Sequence, residues 1–163
     1  MNLSNSQLSD LDLDLDIAMS TSVPVLITAS PEDAMKVAVE IARTTDNGHR
    51  GPLVVAAANL VGLTASMENA WARGGRPTTV VVPNIDAIDR NQQNVLMAML
   101  TARGRTAAAS PWRLITTTSV PLFERVLAGA FESRLFYCLN AIHIIIETHP
   151  EGSTSREGQA PVL

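Results

Sequence analysis

Short β-branched runs alternate with stretches of helical spacing through the middle of the chain, and this alternation constrains the fold more than any other feature. Five runs read as strands: residues 23–28, 53–57, 79–82, 113–118 and 142–147. Their apolar character is nearly continuous, which suits strands buried on both faces of a parallel sheet. The stretches between them carry helix-start signals. Ser30 followed by Pro31 opens one helix, Asp89 opens another that Gly104 is expected to close, and Ser119 is expected to cap a third running to Gly129. Strand and helix in alternation predict an α/β fold, a three-layer sandwich around a mainly parallel five-stranded sheet.

The ends read differently. Leu and Asp alternate from residue 11 to 16, a period of two in an otherwise polar stretch. Residues 1–22 are therefore expected to form an acidic, loosely ordered N-terminal arm, with a partner-docking segment as the alternative. Residues 148–163, rich in Gly, Ser, Glu and Pro, are expected to be a disordered tail. That leaves residues 23–147 as the α/β domain.

Charge and cysteine content narrow the function classes. Twelve Lys and Arg against sixteen Asp and Glu give a formal net charge of −4, so no overall basic field gathers nucleic acid, and no direct DNA binding is expected. Cys138, alone among 163 residues, forms no internal disulfide, which fits a reducing cytoplasm. The first basic residue is Lys36, so no secretory leader is expected. The longest uncharged stretch, residues 51–67, is interrupted by Asn59, Gly62, Thr64 and Ser66 and falls short of the ~20 apolar residues of a spanning helix. No membrane association is expected.

In open α/β sheets ligands sit beyond the carboxyl ends of the strands, so the turn after the first strand is the first candidate site. That turn lies in VPVLITASPEDAMKVAVEIAR, which resembles the opening of the AAA+ ATPase domain in the bacterial enhancer-binding proteins that activate sigma-54 RNA polymerase. The resemblance continues in RGPLVVAAAN, in AWARGG before the strand TTVVV, in Gln93 and VLMAML, and in WRLITTT. It is most specific in GAFESRLFYCLNAIHI, Gly129 to Ile144, which is similar to the family's G-x-F-R-E-D-L-Y-Y-R-L-N segment. Together these pieces span about residues 23–147. The resemblance implies a P-loop fold and, in ordinary members, Mg-ATP hydrolysis.

The departures bear on that activity. A phosphate loop of the form G-x-x-x-x-G-K-[ST] needs glycines that turn backbone N–H groups inward and a Lys that reaches the phosphates. Here Ala29 and Ala34 stand at the glycine positions and Met35 at the Lys position. Lys36, one residue late, is rotated ~100° around a helix. Pro31 offers no N–H, while Glu32 and Asp33 place negative charge where a polyphosphate should lie. The same residues form a strong helix start: Ser30 as cap, Pro31 in the first turn and acids at the positive end of the dipole.

Two further departures agree. Where the family supplies an Asp for Mg²⁺ and a Glu to polarise water, this chain has Pro83 and Asn84, and Asp86 and Asp89 read as turn and helix-capping residues. Where the family supplies arginines that act in trans, Glu132 and Cys138 stand, and Arg134 is expected to form a surface ion pair with a neighbour such as Glu132. The family's polymerase-contacting G-A-F-T-G-A insertion has no counterpart in residues 60–73, and neither the helical lid nor a helix-turn-helix domain is read in the chain.

Other candidates read as structural. His49, His143 and His149 lack metal-site spacing, and Ser66, Ser110 and Ser119 lack a G-x-S-x-G elbow. Met97 and Met99 read as core fillers, and Trp71 and Trp112 as packing residues at a rim. No catalytic or metal-binding residue and no cofactor is expected. The expectation is a catalytically inactive module that docks with an AAA+ relative or with transcription machinery through what remains of the subunit-contact surface. The alternatives are a weak non-standard ATP binder using Arg43, Arg76 or Arg134, in which case ATP and Mg²⁺ would be its ligands, and a remnant with no specific activity.

Overall fold

Strand β1, Val25–Thr28, lies inside a five-stranded sheet of order β2-β3-β4-β1-β5, with β2 at Leu53–Val54, β3 at Thr79–Val82, β4 at Arg113–Thr118 and β5 at Ile142–Ile145. The computed structural model describes residues 5–45, 52–63, 79–105 and 112–146. All four pairings are parallel, with Val25 opposite both Ile115 and Ile142, and Val81 opposite both Val54 and Ile115. The expected α/β sandwich is therefore present, and the sheet is parallel throughout. Each strand starts and ends within three residues of its expected bounds. Strand β2 is the shortest because Ala57–Gly62 turns into a 3-10 helix, although the Val55 N–H still donates to the Val81 carbonyl at 2.9 Å.

Alternate residues of each strand face opposite layers. On one side Val25, Ile27, Val81, Ile115, Ile142 and Ile144 pack under two helices, α1 (Asn5–Ser20) and α2 (Pro31–Thr45). On the other, Leu26, Val80, Val82 and Leu114 pack under the 3-10 turns, α3 (Arg90–Arg105), α4 (Leu122–Leu127) and α5 (Ser133–Leu139). Full burial of each Leu or Ile contributes roughly 1.5–3 kcal/mol before chain entropy is counted, so the strand residues are the main source of cohesion. Trp112, Met97 and Met99 pack with this second cluster.

Residues 1–22 were expected to be a loose arm, and here the structure differs. Most of them form α1, with Leu15, Ala18 and Met19 against α2 and β5 and Ala18 fully buried. Leu15, Ala18 and Met19 follow helical spacing, and the apolar face beside β5 rewards that period over the two-residue one. Helix α3 runs through Gly104 to Arg105 instead of closing before it. Helix α4 starts at Leu122 behind Pro121, not at Ser119, and stops short of Gly129, whose φ of +71° turns the chain toward α5. The expected tail, together with Trp71, Arg76, His49, His149, Ser66 and Ser110, lies outside the described residues. Among the described residues no helix is long and apolar enough to cross a membrane.

Candidate functional site at the carboxyl ends of the strands

The turn after β1 consists of two residues, Ala29 and Ser30, before α2 begins at Pro31. Ala29 is buried and its N–H donates to the Thr118 carbonyl at 3.1 Å, so it prolongs the β1–β4 ladder. Ser30 closes the helix end. Its hydroxyl accepts the Asp33 N–H at 3.2 Å and donates to Asp33 Oδ2 at 2.7 Å, and its carbonyl accepts the Ala34 N–H at 2.9 Å. The cap expected from Ser30, Pro31, Glu32 and Asp33 is thus formed.

Downstream, Ala34 is buried under α1 and α2's own layer, and Met35 packs partly against the same cluster. Lys36 turns back along its helix. Its Nζ lies 2.8 Å from Glu32 Oε1 and 3.8 Å from Asp33 Oδ1, and the Glu32 carboxylate raises the lysine above its ordinary value. The helix start therefore presents carboxylates, and its lysine is engaged by them.

At the end of β3, Pro83 leads into Asn84, which adopts a left-handed conformation at φ +54° and accepts the Ala87 N–H at 3.0 Å on its carbonyl. The short 3-10 turn Ile85–Ala87 brings Asp86 beside β4. Its Oδ1 lies 2.9 Å from the Thr118 hydroxyl, which also lies 3.0 Å from the Val120 carbonyl and accepts the Val120 N–H at 3.2 Å. Asp89 caps α3 in a reciprocal box: the Gln92 N–H donates to Asp89 Oδ1 and the Asp89 N–H to Gln92 Oε1, both at 2.8 Å. The turn and capping roles expected for Asp86 and Asp89 are occupied in this way.

Gln93 has a larger role than the sequence suggested. Its buried carboxamide donates to the Ile88 and Ala130 carbonyls at 3.2 and 3.1 Å and accepts the Glu132 N–H at 2.8 Å. It joins the start of α3 to the turn before α5. Glu132 pairs with Arg90 at 3.0 Å rather than with Arg134, because the Gln93 clamp sets the Glu132 backbone beside the first turn of α3. Arg134 and Cys138 are exposed on α5. At the β5 edge, His143 Nε2 lies 2.9 Å from Thr28 Oγ1, and partial burial pushes its pKa down while Asp14 on α1 opposes that shift.

The strand ends thus hold Thr28, Ser30, Asp33, Asn84, Asp86 and Thr118 in local bonds. The arginine of α2, Arg43, stands twelve residues beyond Pro31, about 18 Å along the helix. A surface depression of about 570 Å³ runs along the outer face of α2 from Glu32, Met35 and Lys36 to Arg43, away from the sheet. Among the described residues no group of His, Cys, Asp and Glu is arranged to hold a metal ion.

A model of the sigma-54 interaction domain family matches residues 3–147. No curated protein matches the chain. Among solved structures, NtrX from Brucella abortus in complex with ATP is similar at 17% identity and a TM-score of 0.64, over 89% of this chain and 38% of that one. The P-loop NTPase domain of a sigma-54 activator from E. coli is similar at 21% identity and a TM-score of 0.62, over 87% of this chain and 97% of that domain. The Thermotoga maritima RuvB branch-migration motor is similar at 13% identity and a TM-score of 0.60, over 89% of this chain and 45% of that one. The chain therefore spans less than half the length of the NtrX and RuvB chains it matches.

Proposed function

The chain belongs to the sigma-54 interaction domain family, and from that premise we propose that it is a catalytically inactive AAA+-like domain acting as a regulatory or protein-interaction module in transcription regulation. The observation that carries this reading is the two-residue junction between β1 and α2. A Mg-nucleotide does not suit these residues. A phosphate cradle needs a loop whose N–H groups converge on the anion. Here Ala29 donates to Thr118, Asp33 to the Ser30 hydroxyl and Ala34 to the Ser30 carbonyl, while Glu32 and Asp33 repel negative charge. Pro83 and Asn84 offer no carboxylate to a metal or an attacking water. The partner that fits the family is another AAA+ protein or a component of the transcription machinery.

The test has two arms. Thermal unfolding is followed with and without Mg-ATP and Mg-ADP, alongside phosphate release; no stabilisation and no turnover are expected. A ligand at 100 times its dissociation constant adds ~2.7 kcal/mol, so a clear rise in melting temperature overturns the inactive reading. In the second arm the chain is titrated into an active sigma-54-activator ATPase from the same cell. A changed hydrolysis rate supports a regulatory role, and an unaltered rate at saturation counts against it.

A further inference from the structure

Helix α1 is seated by one face and bare on the other. Leu15, Ala18 and Met19 pack inward, while Leu13 and Ile17, one turn apart, are 58% and 39% exposed. Asp12 and Asp16 form a second exposed row beside them, again one turn apart. Neither makes an ion pair among the described residues, and no Lys or Arg occurs in the chain before Lys36. Asp14, half-buried, lies close enough to His143 of β5 to act on its charge, so the outer face consists of these two rows.

This face works against the helix that carries it. Two carboxylates one turn apart repel each other, the last turn holds no base to meet the negative end of the dipole, and Asp is a poor helix former. Leu13 and Ile17 leave apolar area in water. A surface that breaks several local rules at once is where function is expected.

The chemistry of the two rows limits what can cover them. Nucleic acid and anionic lipid are repelled by Asp12 and Asp16. A small cation satisfies the carboxylates and leaves Leu13 and Ile17 bare. A second copy of α1 sets carboxylates against carboxylates. On α2 the lysine is already held by Glu32 and Asp33, so the neighbouring helix adds no free ammonium to offset the acidic row. A helix with an apolar stripe flanked by Lys or Arg satisfies both rows together, because ridges at i and i+4 pack into the groove of a second helix.

We infer that the outer face of α1 is a docking surface for a cationic amphipathic helix of another protein, with Leu13 and Ile17 as apolar anchors and Asp12 and Asp16 as the charges that orient it. The inference rests on the proposed interaction role and adds to it the surface and the chemistry of the partner. A helix of 16 residues is about 24 Å long, so the contact is small and the complex transient.

The probe is a fluorescent synthetic peptide of about 18 residues, matched to α1 in length and built from Leu and Lys with the Leu at helical spacing. Its anisotropy is followed as the full chain is added, beside a peptide of the same composition in scrambled order. The ordered peptide is expected to bind about tenfold tighter than the scrambled one, and more weakly as salt rises. Leu13→Ser with Ile17→Ser is expected to weaken binding about tenfold. Asp12→Asn with Asp16→Asn is expected to remove most of the salt dependence, and circular dichroism checks that both variants keep the fold. Amide NMR shifts on adding the peptide are expected to centre on residues 12–20.

Equal affinity for the ordered and scrambled peptides overturns the inference, as does binding that Leu13→Ser with Ile17→Ser leaves unchanged. Shifts centred on α2, α4 or α5 also overturn it, and so does binding of this helix to anionic phospholipid vesicles. If the peptide fails to bind α1 while the chain still changes the rate of an active AAA+ ATPase, this inference falls and the proposed function stands.

Discussion

The Gln93 carboxamide holds the Glu132 backbone N–H at 2.8 Å across 39 positions of sequence, and on its other side donates to the Ala130 and Ile88 carbonyls. This single buried side chain fixes where the α4–α5 turn lies against α3. It also explains why Glu132 meets Arg90 and leaves Arg134 free to face solvent. The most sequence-specific segment of the chain, Gly129 to Ile144, is thus anchored by an amide from another helix.

Replacing Gln93 with Met, of similar length, leaves one donor and two acceptors without their partner. A buried group stranded in this way costs ~1–3 kcal/mol, and the Glu132 N–H lies at the protein's half-buried rim, so a total loss of about 2–3 kcal/mol is expected. Urea unfolding measures it as a lowered midpoint with unchanged slope. A loss below about 0.5 kcal/mol would show that water takes over the Gln93 bonds.

Ser30→Ala removes the hydroxyl that accepts the Asp33 N–H. Loss of a serine cap costs ~1 kcal/mol, which lowers the melting temperature by a few degrees in a domain of this size. The same variant is expected to gain no response to nucleotide. Calorimetry with and without Mg-ATP reads both effects.

Met35→Lys restores the side chain that a phosphate loop carries at that position. No nucleotide-dependent stabilisation is expected from it, because α2 already begins at Pro31 and residue 35 lies in its second turn, partly packed against the core cluster. The measurement is the melting-temperature shift of the variant in Mg-ATP. A clear rise would mean that charge, not backbone shape, was the missing part.

His143 gives a pH signature. Its pKa in the folded state is lowered by burial from the ordinary 6.5, so the folded protein binds fewer protons than the unfolded chain in the interval below that value. The contribution to stability is complete above about pH 6.5 and is lost as pH falls toward the lowered value. His143→Asn keeps a polar partner for Thr28 and does not titrate. Compared by urea unfolding at pH 7.5 and 5.5, the variant is expected to lose less stability on acidification than the natural chain; equal losses would place the pH dependence elsewhere.

The strands were legible because a parallel sheet buries both faces, and runs such as Thr79–Val82 and Arg113–Thr118 advertise this in consecutive apolar and β-branched residues. The start of α2 was legible because Ser30, Pro31 and Asp33 act locally. Helix α1 was not, since Leu and Asp alternating over six residues satisfy two periods at once, and only the distant surface of β5 decides between them. The same holds for the Arg90–Glu132 pair and the Gln93 clamp. Their partners are separated by 42 and 39 positions, and no local pattern encodes that.

The place of β5 in the sheet has a kinetic meaning as well. Among the described residues it is the last strand yet the neighbour of β1 on that side, and α1, the first helix described, rests partly upon it. During synthesis at the ribosome the opening helix therefore has only part of its seat until residue 145 emerges. Elements more than 120 positions apart close together here, so assembly of that layer proceeds with high sequence separation between its contacts.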